Sequence, residues 1–249
     1  RGLGDVYKRQ IDRDLNSNKY AKVLSQKFNT RFSFSNTKFS DLHFFLKKKN
    51  IKAIDGMVLD LGVSNTQLND PHRGFSFSNN GPLDMRMDKI NTKLTAETII
   101  NEYDEKELSD IFFYYGEERN SRKIANSIVE FRKKKKIDST KMLSDIIQKI
   151  NKYKFKHPAT RVFQALRIVI NEELKELEEI LKISLEILTK NARIVIVAFH
   201  SLEDKIVKNF FKKNVCKNFN DDNKNFFRII TKKPITPSLE EINLNPRSK

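Results

Sequence analysis

Over the first sixty or so residues the apolar positions fall in short runs that switch between strand and helix spacing. Arg31 to Ser35 alternates as a strand, and Ile54 to Leu61 is a near-continuous apolar run broken mainly by Asp55 and Asp60. Before and between them, Asn16 to Phe28 repeats at helical spacing through Tyr20, Val23 and Leu24, and Phe39 to Leu46 gives a shorter helix. The opening, RGLGDVYKRQ, has no clear period; the IDRD that follows (Ile11 to Asp14) places acids at the end of a candidate strand. Strands alternating with helices in this way predict βαβ units and a parallel sheet.

The middle of the chain changes character. Thr95 to Asn101, Glu105 to Tyr115, Ser121 to Lys134 and Thr140 to Lys149 all read as helices, with Thr95 and Thr140 as N-caps. No strand is evident there, so an all-helical block inserted between two α/β stretches is expected. Thr160 to Leu188 reads as one long or kinked helix, and Arg193 to Phe199 as a second buried strand. His200 follows that strand, and Ile206 to Lys212 continues as a helix. The tail beyond Lys217 is mostly polar, punctuated by Pro234, Pro237 and Pro246.

Composition narrows the class. At 249 residues the chain can bury a full core. Its formal charge of +16 favours a polyanion, most often nucleic acid, although abundant Lys, Asn and Ile also suit an AT-rich genome. Arg132 to Lys136 (RKKKK) is the densest basic run and reads as a phosphate contact. A single cysteine, Cys216, excludes an internal disulfide framework, and no clustered ligands point to a metal. No apolar run is long enough to span a bilayer and no secretory signal opens the chain, so a cytoplasmic location is expected.

The chemistry should gather at the carboxyl ends of the strands. IDRD places an acid where Rossmann-like folds bind a ribose diol, or else that acid caps a turn. Asp60 ends the strongest strand and opens a long Gly-, Pro- and Asn-rich segment that also carries Phe75, Phe77, Leu83, Met85 and Met87. His200 faces the same crevice if the sheet is parallel. A Ser-His-Asp hydrolase is disfavoured, because no G-x-S-x-G elbow is present.

Several blocks in order carry a resemblance. They are LDLGVSNTQLNDPHRGFSFSNNGPLDMRMD from Leu59, YGEER from Tyr115, HPATRVFQALR from His157, FHSLED from Phe199, KPITPS from Lys233 and NPRS from Asn245. Together they resemble the bacterial small-subunit rRNA cytosine-N4 methyltransferases, the RsmH or MraW family. The resemblance implies an α/β, Rossmann-like class I methyltransferase sheet with an inserted all-helical domain. Its parts would be methyltransferase segments at 11–90 and 159–249, a helical insert at 91–158 and a non-family segment at 1–10. It implies S-adenosyl-L-methionine as cofactor and a cytidine amine of 16S rRNA, or of the small ribosomal subunit, as target. Asp12, Phe39, Asp60 and Gln67 would form the cofactor side. Arg73, Phe75, Phe77, Arg119, His157, Arg161 and His200 would face the substrate.

The family's glycine-rich D-G-T-x-G-x-G-G-H-S segment is not found before IDRD, so a fragment lacking its first strand, glycine loop and last strand is expected. Asp60, or a nearby backbone carbonyl, is the expected acceptor for the amine hydrogens, with Phe75 or Phe77 stacking on an extruded base. Arg119, Arg122 and the RKKKK run would clamp the RNA. Two alternatives stand beside this: an RNA-binding fragment without catalysis, and a DNA amino methyltransferase, which the missing D/N-P-P-Y/F turn disfavours.

Overall fold

A computed structural model describes residues 6–152, 157–215 and 227–245. The N-terminal part runs β1 (Lys8–Asp12), α1 (Ser17–Phe28), β2 (Phe32–Asn36), α2 (Leu42–Lys48) and β3 (Ile54–Asp60). A long connection follows, holding the short α3 (Asn65–Asn69). The helices α4 (Ala96–Glu102), α5 (Glu105–Gly116), α6 (Ser121–Arg132) and α7 (Thr140–Ile150) come next. The chain then runs through α8 (Thr160–Asn171), α9 (Glu173–Ile187), β4 (Leu188–Val197), α10 (Ser201–Lys213) and α11 (Leu239–Leu244).

β1 pairs in parallel with β2, and β3 in parallel with β4. The architecture is therefore mixed α/β with short parallel strands. In β3, Met57 and Leu59 turn inward with their β4 partners Ile194 and Ile196, onto Leu46 of α2 and Leu177, Leu181 and Ile187 of α9. The other face is left largely open, with Val58 72% exposed beside Val195 and Val197. The apolar runs were read as strands covered on both faces; among the described residues the helices cover one.

A second, larger core joins α4 to α8 with Phe75, Leu83, Met85 and Met87 of the long connection. This core crosses both boundaries expected for a helical insert, at 90/91 and 158/159. One local expectation is sharpened and two are corrected. The Thr160–Leu188 helix breaks at Glu172, which adopts φ +49°, and Arg167 of α8 clamps Glu173 of α9 across the break. Thr140 does not cap α7: Ser139 holds the N-cap position, while the Thr140 hydroxyl donates to the Asn79 carbonyl and accepts from the Gly81 N–H. β1 starts at Lys8, taking in residues that showed no period in the sequence. Thr95 does cap α4, accepting from the Thr98 N–H at 3.1 Å. Gly2 to Gly4, Cys216 and residues 246–248 lie outside the described residues.

Candidate functional site

Asp12 closes β1, and its carboxylate is held by its own turn. The Asp14 N–H donates to Oδ1 at 2.8 Å and the Ser17 hydroxyl to Oδ2 at 2.7 Å. Asn36, at the end of the paired β2, donates to the Asp12 and Asp14 carbonyls. Phe39 is half-buried in the turn after β2. Asp60 closes β3 with its side chain exposed, and the ladder continues one step beyond it through the Leu61 N–H to the Val197 carbonyl. Two parallel pairs thus each end in a carboxylate, the arrangement that open α/β folds use for ligands.

Gln67 differs from the expectation. It is buried, its Oε1 accepts from the Ser64 N–H at 2.8 Å, and its Nε2 donates to Asp14 at 2.6 Å. Both ends serve the fold. A cavity of about 300 Å³ lies near the ends of β1 and β2, bounded by Arg13, Asn36, Thr37, Asp41, Asp88 and Asn91. None of the four expected cofactor residues lines it. A larger cavity, about 490 Å³, lies among Tyr115, Val169, Lys175 and Ile206.

The segment after β3 is wired tightly into the structure. Gly74 adopts φ +72°, and a Cβ there would stand 2.8 Å from the Asp84 nitrogen, so two arms of the segment cross with no room for a side chain. Arg86 and Lys89 hydrogen-bond the Asp84 carboxylate and hold its pKa below the ordinary value against the opposing effect of burial. Asn171, fully buried at the end of α8, accepts from the Met87 N–H and donates to the Met85 carbonyl, both at 2.8 Å.

That wiring engages several of the residues expected to face the substrate. Arg73 is only 4% exposed and bonded to Asp14, and Phe75 is 5% exposed inside the larger core. Phe77 is half-buried, stacked on His157 at 4.1 Å and 9°, with Phe163 edge-on at 5.6 Å. Both Phe75 and Phe77 are therefore engaged, so neither is free to stack on a base in this conformation. His157 accepts from the Ala159 N–H through Nδ1, and burial lowers its pKa. Arg161 is half-buried, while Arg119 is exposed.

His200 is held within the fold at the start of α10. It occupies the N-cap of α10, accepting from the Glu203 N–H at 3.4 Å, and its side chain is nearly buried against Glu203. Burial pushes the Glu203 pKa up, but hydrogen bonds from His200 and the Phe199 N–H outweigh it and the net shift is downward. Donor atoms of Glu173, His200 and Glu203 lie within 4.8 Å of one another. Arg167 grips Glu173 with two bonds of 2.8 and 2.9 Å, supplying the positive charge this group needs. Ser201 donates to Glu117, which ties the end of α5 to the start of α10. Periodicity alone does not reveal this junction; the YGEER and FHSLED blocks mark it.

The basic run also divides. Arg132 donates to the Ile100 and Tyr103 carbonyls at 2.7 and 2.5 Å, closing the C-terminal end of α4. Lys133 pairs with Glu130 and Lys136 with Glu97. Lys134 and Lys135 remain exposed.

A family model described as the MraW methylase family matches residues 4–249. That match takes in part of the opening segment 1–10, against its expected place outside the family. The chain is 46% identical over 258 residues to a protein of Rickettsia africae (strain ESF-5) named "Ribosomal RNA small subunit methyltransferase H", covering 98% of this chain and 82% of the relative. Similarity is comparable for proteins of the same name from Sulfurihydrogenibium sp. (strain YO3AOP1), at 47% over 243 residues, and Wolbachia sp. subsp. Drosophila simulans (strain wRi), at 46% over 245. Each of these two matches covers 96% of this chain and 80% of the relative.

Proposed function

The chain belongs to the MraW methylase family, and from that premise we propose that it transfers a methyl group from S-adenosyl-L-methionine to the N4 amine of a cytidine in 16S rRNA. The observation that carries the reading is the near full-length match to relatives named as small-subunit rRNA methyltransferases, with the matched LDLG and IDRD acids ending parallel strands. The rRNA named for the relatives favours RNA over DNA as the methyl acceptor. The same match fits a Rossmann-like arrangement of the strands on either side of α4 to α7, and a cytoplasmic enzyme that meets the small ribosomal subunit. Among the described residues no helix is long and apolar enough to cross a membrane.

The donor set suits the cofactor. Asp12 offers a carboxylate to a ribose diol, Phe39 a half-buried apolar face to an adenine, and Asp60 an exposed carboxylate to the rest of the molecule. When bound, S-adenosyl-L-methionine supplies a sulfonium methyl that is already electrophilic. The chain's residues must hold the cytosine amine in line and accept its hydrogens, because the amine lone pair otherwise delocalises into the ring. Asp60, or a backbone carbonyl beside it, takes that acceptor role. Asp60→Ala tests it: turnover should be abolished, and near-normal turnover would overturn the assignment. Cofactor affinity of the same variant separates the roles, staying unchanged for an acceptor and falling for a cofactor contact.

A further inference from the structure

We propose that Arg73 is a positioning residue: through Asp14 it fixes the Asp12 carboxylate and couples that acid to the segment that follows β3. The proposal rests on the reading of Asp12 as the ribose-binding acid. Arg73 NH1 donates to Asp14 Oδ2 at 2.8 Å, and Gln67 Nε2 donates to the same oxygen at 2.6 Å. Asp14 Oδ1 accepts from the Asn16 N–H at 2.9 Å, and the Asp14 N–H itself donates to Asp12 Oδ1 at 2.8 Å. The turn that presents Asp12 is thus built around the Asp14 side chain, and the charge of that side chain is balanced by Arg73. Asp14, Gln67 and Arg73 are all buried.

Arg73 reaches the other way as well. Its NH2 donates to the Arg86 and Met87 carbonyls at 3.0 and 3.2 Å, at the far end of the same segment. A guanidinium can do both at once because its donors diverge in a rigid fork, whereas an ammonium is a point charge. One buried side chain therefore joins the turn after β1, through Asp14, to the end of the GPLDMRMD stretch, and displacement of either end is felt at the other.

Ribose recognition gives a readout that a loss of general stability would not move. Binding of S-adenosylhomocysteine and of its 2′-deoxyribose analogue is compared calorimetrically for the unaltered chain, Asp12→Ala, Arg73→Met and Arg73→Lys. The unaltered chain should prefer the ribose form, and Asp12→Ala should erase the preference. Arg73→Met should reduce the preference by about tenfold, the worth of one charge-assisted hydrogen bond. Arg73→Lys, which restores a charge beside Asp14, should regain most of it. If Arg73→Met does not fold, Gln67→Met removes the other donor to Asp14 and should shift the preference in the same direction.

An Arg73→Met variant, or in its place Gln67→Met, with full preference while Asp12→Ala has none overturns the proposal. A lysine variant no better than methionine overturns the route through Asp14. If the unaltered chain shows no preference, or Asp12→Ala keeps it, the reading of Asp12 fails and the proposal falls with it.

Discussion

Replacing Asn171 with alanine should destabilise the protein more than any exposed substitution, because its amide spans a helix end and a buried, irregular segment. Asn171 is fully buried, accepts from the Met87 N–H and donates to the Met85 carbonyl, both at 2.8 Å. Alanine leaves both backbone groups without that partner, and an unsatisfied buried polar group costs about 1–3 kcal/mol. The third bond, to the Arg167 carbonyl within the same helix, adds little. Met85 is also held at φ +60°, a left-handed conformation that disfavours a side-chain-bearing residue by about 1–2 kcal/mol and persists because its neighbours over-determine it. The sum is roughly 2–6 kcal/mol, a large share of the 5–15 kcal/mol typical of a folded domain. In a chain of this size that should lower Tm by roughly 5–20 °C, read by circular dichroism at neutral pH. Asn171→Asp should be at least as damaging at neutral pH and should recover on acidification, when the protonated acid can again donate. A fall of less than about 2 °C for the alanine variant, the size of a surface substitution, would refute the reasoning.

Three further outcomes follow from the packing and charge. Gly116→Ala would place a Cβ 2.6 Å from the Arg161 carbonyl oxygen, so α5 and α8 must separate at a cost of about 1–3 kcal/mol; an unchanged melting temperature contradicts this. Burial lowers the His157 pKa from 6.5, and for Glu203, ordinarily 4.5, burial is outweighed by bonds from His200 and Phe199, so it too is lowered. The unfolded chain therefore binds more protons in both ranges, and stability should fall first below about pH 6.5 and again below about pH 4.5; His157→Gln should flatten the first step, and a rise on acidification would contradict the sign. Neutralising Lys134 and Lys135 should weaken RNA binding evenly across sequences and reduce the salt slope by about 1 per lost phosphate contact, whereas a change in base preference counts against a clamp.

Element existence was largely legible because burial enforces periodicity. The apolar spacing of Ile124, Ile128 and Phe131 marks α6, and the near-continuous run in β3 marks a strand. The boundaries that periodicity does not carry were decided by single side chains. The break at Glu172 depends on a left-handed residue and the Arg167–Glu173 clamp, neither of which leaves an apolar period. Thr140 looks like a cap in isolation but spends its hydroxyl on Asn79 and Gly81.

The strand-end positions of Asp12 and Asp60 were legible because a carboxylate stands out at the end of an apolar strand. The direction in which Arg73, Phe75 and Phe77 point was not legible. A polar, glycine-rich segment gives no face periodicity from which to tell inward from outward, and here its aromatic residues supply core while its arginine neutralises Asp14. Arg132 was read with its lysine neighbours for the same reason; charge density does not show which cation is spent on helix carbonyls.

The most direct test of the functional account is to identify the methylated nucleoside. The chain is incubated with S-adenosyl-L-methionine carrying a labelled methyl group and with small ribosomal subunits or 16S rRNA, and the RNA is digested to nucleosides and separated. The account predicts label in N4-methylcytidine, lost with Asp60→Ala. Label recovered instead in 5-methylcytidine or in a ribose-methylated nucleoside would contradict it.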